Sequence, residues 1–110
     1  MDVNNFEKFM AKVASGKCAS GFVVTLTDPA VSELIGDAGF DFTWLDMEHS
    51  PLSLTDVAAH IMALRGTDCA PFVRVADNDT VQIKKVLDLA PAGIIIPMIK
   101  SAAELKKAIE

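Results

Sequence analysis

The stretch Phe40-Asp41-Phe42-Thr43-Trp44-Leu45-Asp46-Met47-Glu48-His49-Ser50-Pro51 decides how the rest of the chain is read. Its first half is an apolar and aromatic run the length of one buried strand. Its second half delivers Asp46, Glu48 and His49 before Pro51 stops any ladder. In parallel α/β sheets ligands bind at the carboxyl ends of the strands, so titratable groups gathered at such an end point to chemistry. The competing reading makes Asp46 and Glu48 caps for the next helix and His49 a surface loop residue.

The flanking sequence supplies the same βα pattern on both sides. Residues 20–26 form a β-branched strand candidate, followed by Thr27, Asp28 and Pro29 at a helix start and by Val31, Leu34 and Ile35 on one helical face, ending near Gly39. After Pro51, Ser53 and Asp56 have capping-box spacing, and Leu54, Val57, Ile61 and Leu64 make an inward stripe that Gly66 ends. Residues 70–75 make a third strand with Pro71 at its entry and Arg74 near its exit. Residues 76–79 are a turn and cap cluster before a helix bearing Val81, Ile83, Val86, Leu87 and Leu89. Residues 93–97 are a fourth strand, and Ser101 to Glu104 is a capping box opening a last helix. Ahead of all this, Phe6, Phe9, Met10 and Val13 give residues 4–14 a helical apolar face.

Four strands alternating with four helices, after one introductory helix, predict an α/β fold of parallel βα repeats with right-handed crossovers. The rhythm is that of a (β/α)8 TIM barrel, which takes about 250 residues to close. The 110 residues therefore predict a single partial barrel domain, residues 1–110, of four βα units. Its two open strand edges would invite pairing with a second copy or a complementary fragment.

Composition narrows the function classes. A hydrophobic content of 51% excludes intrinsic disorder, and a net charge of −5 without any Lys/Arg cluster argues against nucleic acid as a partner. No apolar run approaches a membrane span, and the polar start shows no secretory signal, so a cytoplasmic setting is expected. Cys18 and Cys69 are distant and unpatterned, and both are expected buried and reduced; the methionines, Phe6 and Phe9 are expected in the core.

Asp46 and Glu48, two apart, point the same way on an extended segment, and His49 beside them suits a general acid or base. Its tautomer needs a carboxylate partner, for which Asp46, Glu48 and Asp88 are the candidates. Arg74 at the exit of an apolar strand needs an anion: either a salt bridge to Asp46 or Glu48, or a substrate carboxylate or enolate. His60, bordering its helix stripe, reads as a packing or surface residue. No glycine-rich phosphate loop occurs, and Asp46 with Glu48 alone would hold a divalent cation poorly.

The opening stretch, then Phe72-Val73-Arg74-Val75 with Asn78-Asp79, Ile83-Lys84-Lys85-Val86-Leu87-Asp88 and Gly93-Ile94-Ile95-Ile96-Pro97-Met98, resembles in order and spacing the HpcH/HpaI aldolases. The resemblance spans nearly all of the chain. It implies the N-terminal half of a class II pyruvate aldolase of the 2,4-dihydroxyhept-2-ene-1,7-dioate or 2-keto-3-deoxy-glucarate type, a carbon–carbon lyase cleaving 4-hydroxy-2-oxo acids to pyruvate and an aldehyde. Its catalytic positions would be His49 as base, Asp88 as the acid paired with that imidazole, Arg74 on the keto oxygen and developing enolate, and Asp46 as a supporting acid. It implies a divalent metal (Mg²⁺, Mn²⁺ or Co²⁺), whose Glu and Asp ligands come from later strands absent from this chain, a small-molecule 2-oxo acid substrate and a homo-oligomer in which the acid can come from a neighbouring subunit. A chain lacking those ligands is expected to be incomplete as a catalyst, and the alternative is a non-catalytic half-barrel that pairs with itself or a complementary fragment. One departure stands out: Ala90-Pro91 replaces a Gly-Ala-like pair, a change expected to stiffen the turn into the fourth strand.

Overall fold

The computed structural model describes residues 3–110. Its elements follow the order α1 (Phe6–Ala14), β1 (Gly21–Val24), α2 (Ala30–Asp37), β2 (Phe42–Asp46), α3 (Leu54–Ala63), β3 (Ala70–Arg74), α4 (Thr80–Leu87), β4 (Gly93–Ile95) and α5 (Ala102–Ile109). The strands form one sheet in the order β1-β2-β3-β4, all pairs parallel. Consecutive strands are neighbours throughout. That is the progression of a barrel, whereas a doubly wound sheet reverses its order partway. The expected partial (β/α)8 architecture is therefore the one observed.

Local chemistry sets the helix starts. Ser53 Oγ accepts from the Asp56 N–H at 3.1 Å while Asp56 accepts from the Ser53 N–H at 2.9 Å, a full capping box. Asp79 and Ser101 accept from the N–H groups of Gln82 and Glu104. Ahead of α2, Asp28 accepts from the Ala30 N–H, and Pro29 itself stands at the cap rather than inside the helix.

The two faces of the sheet differ because strand side chains alternate. Thr43, Leu45 and Val73 point towards the helices, where Leu45 and Val73 join Val24, Ile35, Val57, Ile61, Leu64 and Val86 in the core. On the other face Phe42, Trp44, Phe72 and Ile95 line an apolar hollow of about 210 Å³ together with Phe9 of α1. The Phe9 ring meets Phe72 edge-on at 5.0 Å and Phe42 at 5.9 Å between centroids. Gly21 and Gly93 make room for these rings: a Cβ at either would lie within 2.8 Å of the Phe42 or the Phe72 ring, respectively. Asn5 fastens the start of α1, donating to the carbonyls of Leu64 at 3.2 Å and Cys69 at 2.8 Å.

Three expectations need correction. Cys69 is buried, its thiol pushed up to about 12 by burial and then by the charge of Asp41, but Cys18 is exposed because it stands in the loop before the first paired strand residue. Met10, Met62 and Met98 are exposed, and only Met47 packs against the core; Met1 lies outside the described residues. Phe6 is exposed too, since only the Phe9 side of α1 has the sheet to lean on. His60, in contrast, is fully buried. Its Nε2 lies 3.2 Å from the Thr27 carbonyl and its Nδ1 2.6 Å from Ser32 Oγ. Among the described residues no helix is long and apolar enough to cross a membrane.

Ala90, in the turn leading to β4, has φ 56, in the left-handed region that favours glycine. An alanine is strained in that conformation. Ala90→Gly is expected to stabilise the protein by about 0.5–1 kcal/mol, relief of the strain outweighing the added freedom of the unfolded chain. Urea denaturation checks this; a loss of stability would show that the turn is not strained.

Candidate active site

Register builds the site. Asp46 is the last residue of β2 and pairs with Arg74, the last residue of β3, so the two side chains leave the same sheet face at its carboxyl edge. Arg74 Nε donates to Asp46 Oδ1 at 3.1 Å and Nη2 to Oδ2 at 2.7 Å, a two-pronged pair. Asp46 Oδ1 also accepts from the N–H groups of Glu48 at 2.8 Å and His49 at 3.3 Å, and the Asp46 carbonyl accepts from Ser50 Oγ. The carboxylate thus folds the loop after β2 around itself. It is a fixed acceptor and has no proton to offer at neutral pH.

Glu48 lies against the same guanidinium. Its Oε1 is 3.4 Å from Arg74 Nε and 3.3 Å from His49 Nε2. Beneath them, Arg74 Cζ stands 5.4 Å from the Trp44 ring centroid, a cation–π contact, and Trp44 Nε1 is buried without a hydrogen-bond partner among the described residues. The side chains of Asp46, Glu48 and Arg74 are 3%, 15% and 24% exposed, whereas His49 is 73% exposed. A ring open to an incoming molecule therefore sits beside a held guanidinium. The bonds to Asp46 use Nε and Nη2 of the guanidinium.

Asp88 is elsewhere. It caps the C-terminus of α4, is exposed, and lies in the turn that leads back to the start of β4. A helix that follows a parallel strand returns to the amino edge of the sheet, so Asp88 and His49 lie towards opposite edges of the sheet. Asp46, Glu48, His49 and Arg74 come together; Asp88 does not join them. Trp44, which reads in the sequence as one more apolar strand residue, enters the site through a register that no periodicity reveals.

No group of three or more His, Cys, Asp or Glu side chains among the described residues could hold a metal ion. Asp46 is saturated by Arg74 and two N–H groups, and Glu48 is shared between Arg74 and His49. These residues do not by themselves fit a divalent cation.

The Arg74 bonds, with the N–H groups of Glu48 and His49, outweigh burial and hold the Asp46 carboxyl down at about 2 against an ordinary 3.8. Arg74 is in turn held above its usual range, chiefly by Asp46. A carboxyl lowered by folding contributes stability that is present above its unfolded value and is lost as pH falls through the folded one. We therefore predict a loss of about 2 kcal/mol from this group between about pH 4 and pH 2. Denaturation series across that window should show a shallower acid limb for Asp46→Asn than for wild type; equal slopes would contradict the assignment.

The HpcH/HpaI aldolase/citrate lyase family matches residues 19–110. The chain is 37% identical over 102 residues to the 5-keto-4-deoxy-D-glucarate aldolase of Salmonella newport (strain SL254), covering 93% of this chain and 40% of that protein. Among solved structures it is similar to the citrate synthase SbnG, with a TM-score of 0.83 and 29% identity over 90% of this chain and 40% of the other. An HpcH/HpaI aldolase from Desulfitobacterium hafniense DCB-2, at 22% identity, shares the fold with a TM-score of 0.81 over 91% of this chain and 39% of the other. The chain thus spans about two-fifths of the length of these relatives. With that match over most of its length, carried on a singly wound parallel sheet, the chain belongs to the HpcH/HpaI aldolase/citrate lyase family.

Proposed function

We propose that this chain carries the proton-transfer side of a retro-aldol site that cleaves 4-hydroxy-2-oxo acids to pyruvate and an aldehyde. The observation that carries the reading is the placement of an exposed His49 beside an Asp46-held Arg74 at the carboxyl edge of β2 and β3. In this reading neutral His49 removes the proton from the C4 hydroxyl. The C4 oxygen becomes the aldehyde carbonyl as the C3–C4 bond breaks, and the electron pair passes to C3, C2 and the C2 oxygen as an enolate. The Arg74 guanidinium meets that oxygen, where negative charge grows only as the bond breaks. A proton delivered to C3 then completes pyruvate. Asp46 fixes Arg74 throughout.

The name of the Salmonella newport relative supports the substrate class. Numbered from its other end, a 5-keto-4-deoxy-glucarate is a 2-oxo acid with a hydroxyl at C4. Family membership favours this lyase reading over a non-catalytic half-barrel. Class II aldolases are generally metal-dependent, and the described residues of this chain do not by themselves form a metal site. In this reading Asp88, at the C-terminus of α4 near the amino edge of the sheet, meets an imidazole on a neighbouring copy, in a cytoplasmic setting.

The chain alone, supplied with Mg²⁺, Mn²⁺ or Co²⁺, is expected to release little or no pyruvate from 4-hydroxy-2-oxo acids. Substituted for the 102 matched residues of the Salmonella newport aldolase, it is expected to support cleavage. In that chimera His49→Ala or Arg74→Ala should each lower kcat/KM by roughly 100-fold or more. A folded chimera that is inert, or one indifferent to both substitutions, would overturn the reading.

A further inference from the structure

We infer that the Ser50 hydroxyl is a positioning group of this site, closing the loop after β2 so that His49 stands at one place over the carboxyl edge. The inference rests on the proposed role of His49 as base. The His49 side chain is 73% exposed, and among the described residues no hydrogen bond holds its ring. Where the imidazole stands is therefore decided by the backbone beneath it.

That backbone is tied down in two halves by different means. In the first half, the Met47 N–H donates to the Arg74 carbonyl at 2.9 Å, and the N–H groups of Glu48 and His49 donate to Asp46 Oδ1 at 2.8 Å and 3.3 Å. The His49 bond is the long one, at the weak limit for such contacts. The second half cannot repeat the pattern. Pro51 has no N–H to give, and the Leu52 N–H donates to Ser50 Oγ at 3.2 Å instead. The same hydroxyl gives its proton to the Asp46 carbonyl. A serine oxygen both donates and accepts, so one atom joins the end of β2 to residue 52.

Both ends of that bridge are fixed. Asp46 is held by the sheet register and by Arg74, while Leu52 is 5% exposed in the core, one residue before the Ser53 cap of α3. His49 lies on the span that the bridge closes. Without the hydroxyl, the Asp46 carbonyl and the Leu52 N–H both lose their partner, and residues 49–51 pivot on the weak His49 bond. A base has to stand within hydrogen-bond reach of the proton it takes, and a displacement of about 1 Å is enough to cost on the order of 100-fold in rate. Ser50 acts on the reaction only through His49.

One series of variants, Ser50→Ala, Ser50→Gly and Ser50→Thr, tests the inference by two measurements. In the 110-residue chain, residue-resolved amide hydrogen exchange at Leu52 should quicken by roughly 5- to 10-fold in Ser50→Ala and Ser50→Gly, as for the loss of one hydrogen bond, and by more than at Val73 in β3. In the chimera, assayed where every variant is folded, the same two changes should lower kcat by roughly 10- to 100-fold with KM little altered. Ser50→Thr keeps a hydroxyl and should restore both. Rate and exchange should move together through the series. A Ser50→Ala chimera with the kcat of its parent, a Leu52 amide indifferent to Ser50→Ala, or a variant that frees Leu52 and keeps its rate overturns the inference. If His49→Ala abolishes turnover while Ser50→Ala is silent, the aldolase reading survives that failure; if His49→Ala is silent as well, both fall.

Discussion

The bond between Asp46 and Arg74 organises the carboxyl edge of the sheet. A guanidinium at the end of an apolar strand is costly to cover without an anion, and a carboxylate that is almost wholly buried is costlier still. Pairing solves both problems at once, and the parallel register that places the two residues opposite each other makes it possible. Once paired, Asp46 has oxygen left over for the N–H groups of Glu48 and His49. Those two bonds reverse the chain after β2, and the reversal puts the Glu48 carboxylate and the His49 ring beside Arg74. The site is thus assembled by satisfying one ion pair, and the groups assigned to proton transfer follow from where that pair bends the backbone.

The sheet beneath explains why the pair can be held there. Its helix-facing side buries Leu45, Val73 and their neighbours, which keeps β2 and β3 in register. Its other side carries a column of aromatics from Phe9 through Phe42 and Phe72 to Trp44, and the Trp44 face supports the guanidinium from below. Positive charge on an aromatic face and between two carboxylates has little room to move. In the proposed reaction such rigidity suits an enolate clamp, since no reorganisation is required when charge appears.

Much of this architecture is legible in the residues. The capping box at Ser53 and Asp56, the Asp79 and Ser101 caps and the alternation of β-branched runs with helical stripes announce each βα unit before any coordinate is known. Their regular succession points to consecutive parallel neighbours, which is the order found. The Cys18 environment is not legible, because an apolar neighbourhood in sequence says nothing of which side of an edge strand a loop takes. Nor are the exposed methionines, whose hydrophobicity does not reveal what lies opposite them. The site divides in the same way. The clustering of Asp46, Glu48 and His49 on one segment is local and can be read directly. The need of Arg74 for an anion is legible too, with Asp46 or Glu48 as its partner, whereas the Trp44 contact depends on register and the place of Asp88 on the return direction of a helix, both tertiary properties.

The central claim is that Asp46 and Arg74 act as a unit on which the edge is built. A double-mutant cycle tests it most directly, with Asp46→Asn, Arg74→Met and the double variant compared by urea denaturation. Either single change should cost about 3–5 kcal/mol by stranding its partner, and the double variant should cost well under the sum, with a coupling energy above about 1 kcal/mol. Losses that add to within about 0.5 kcal/mol would contradict the claim.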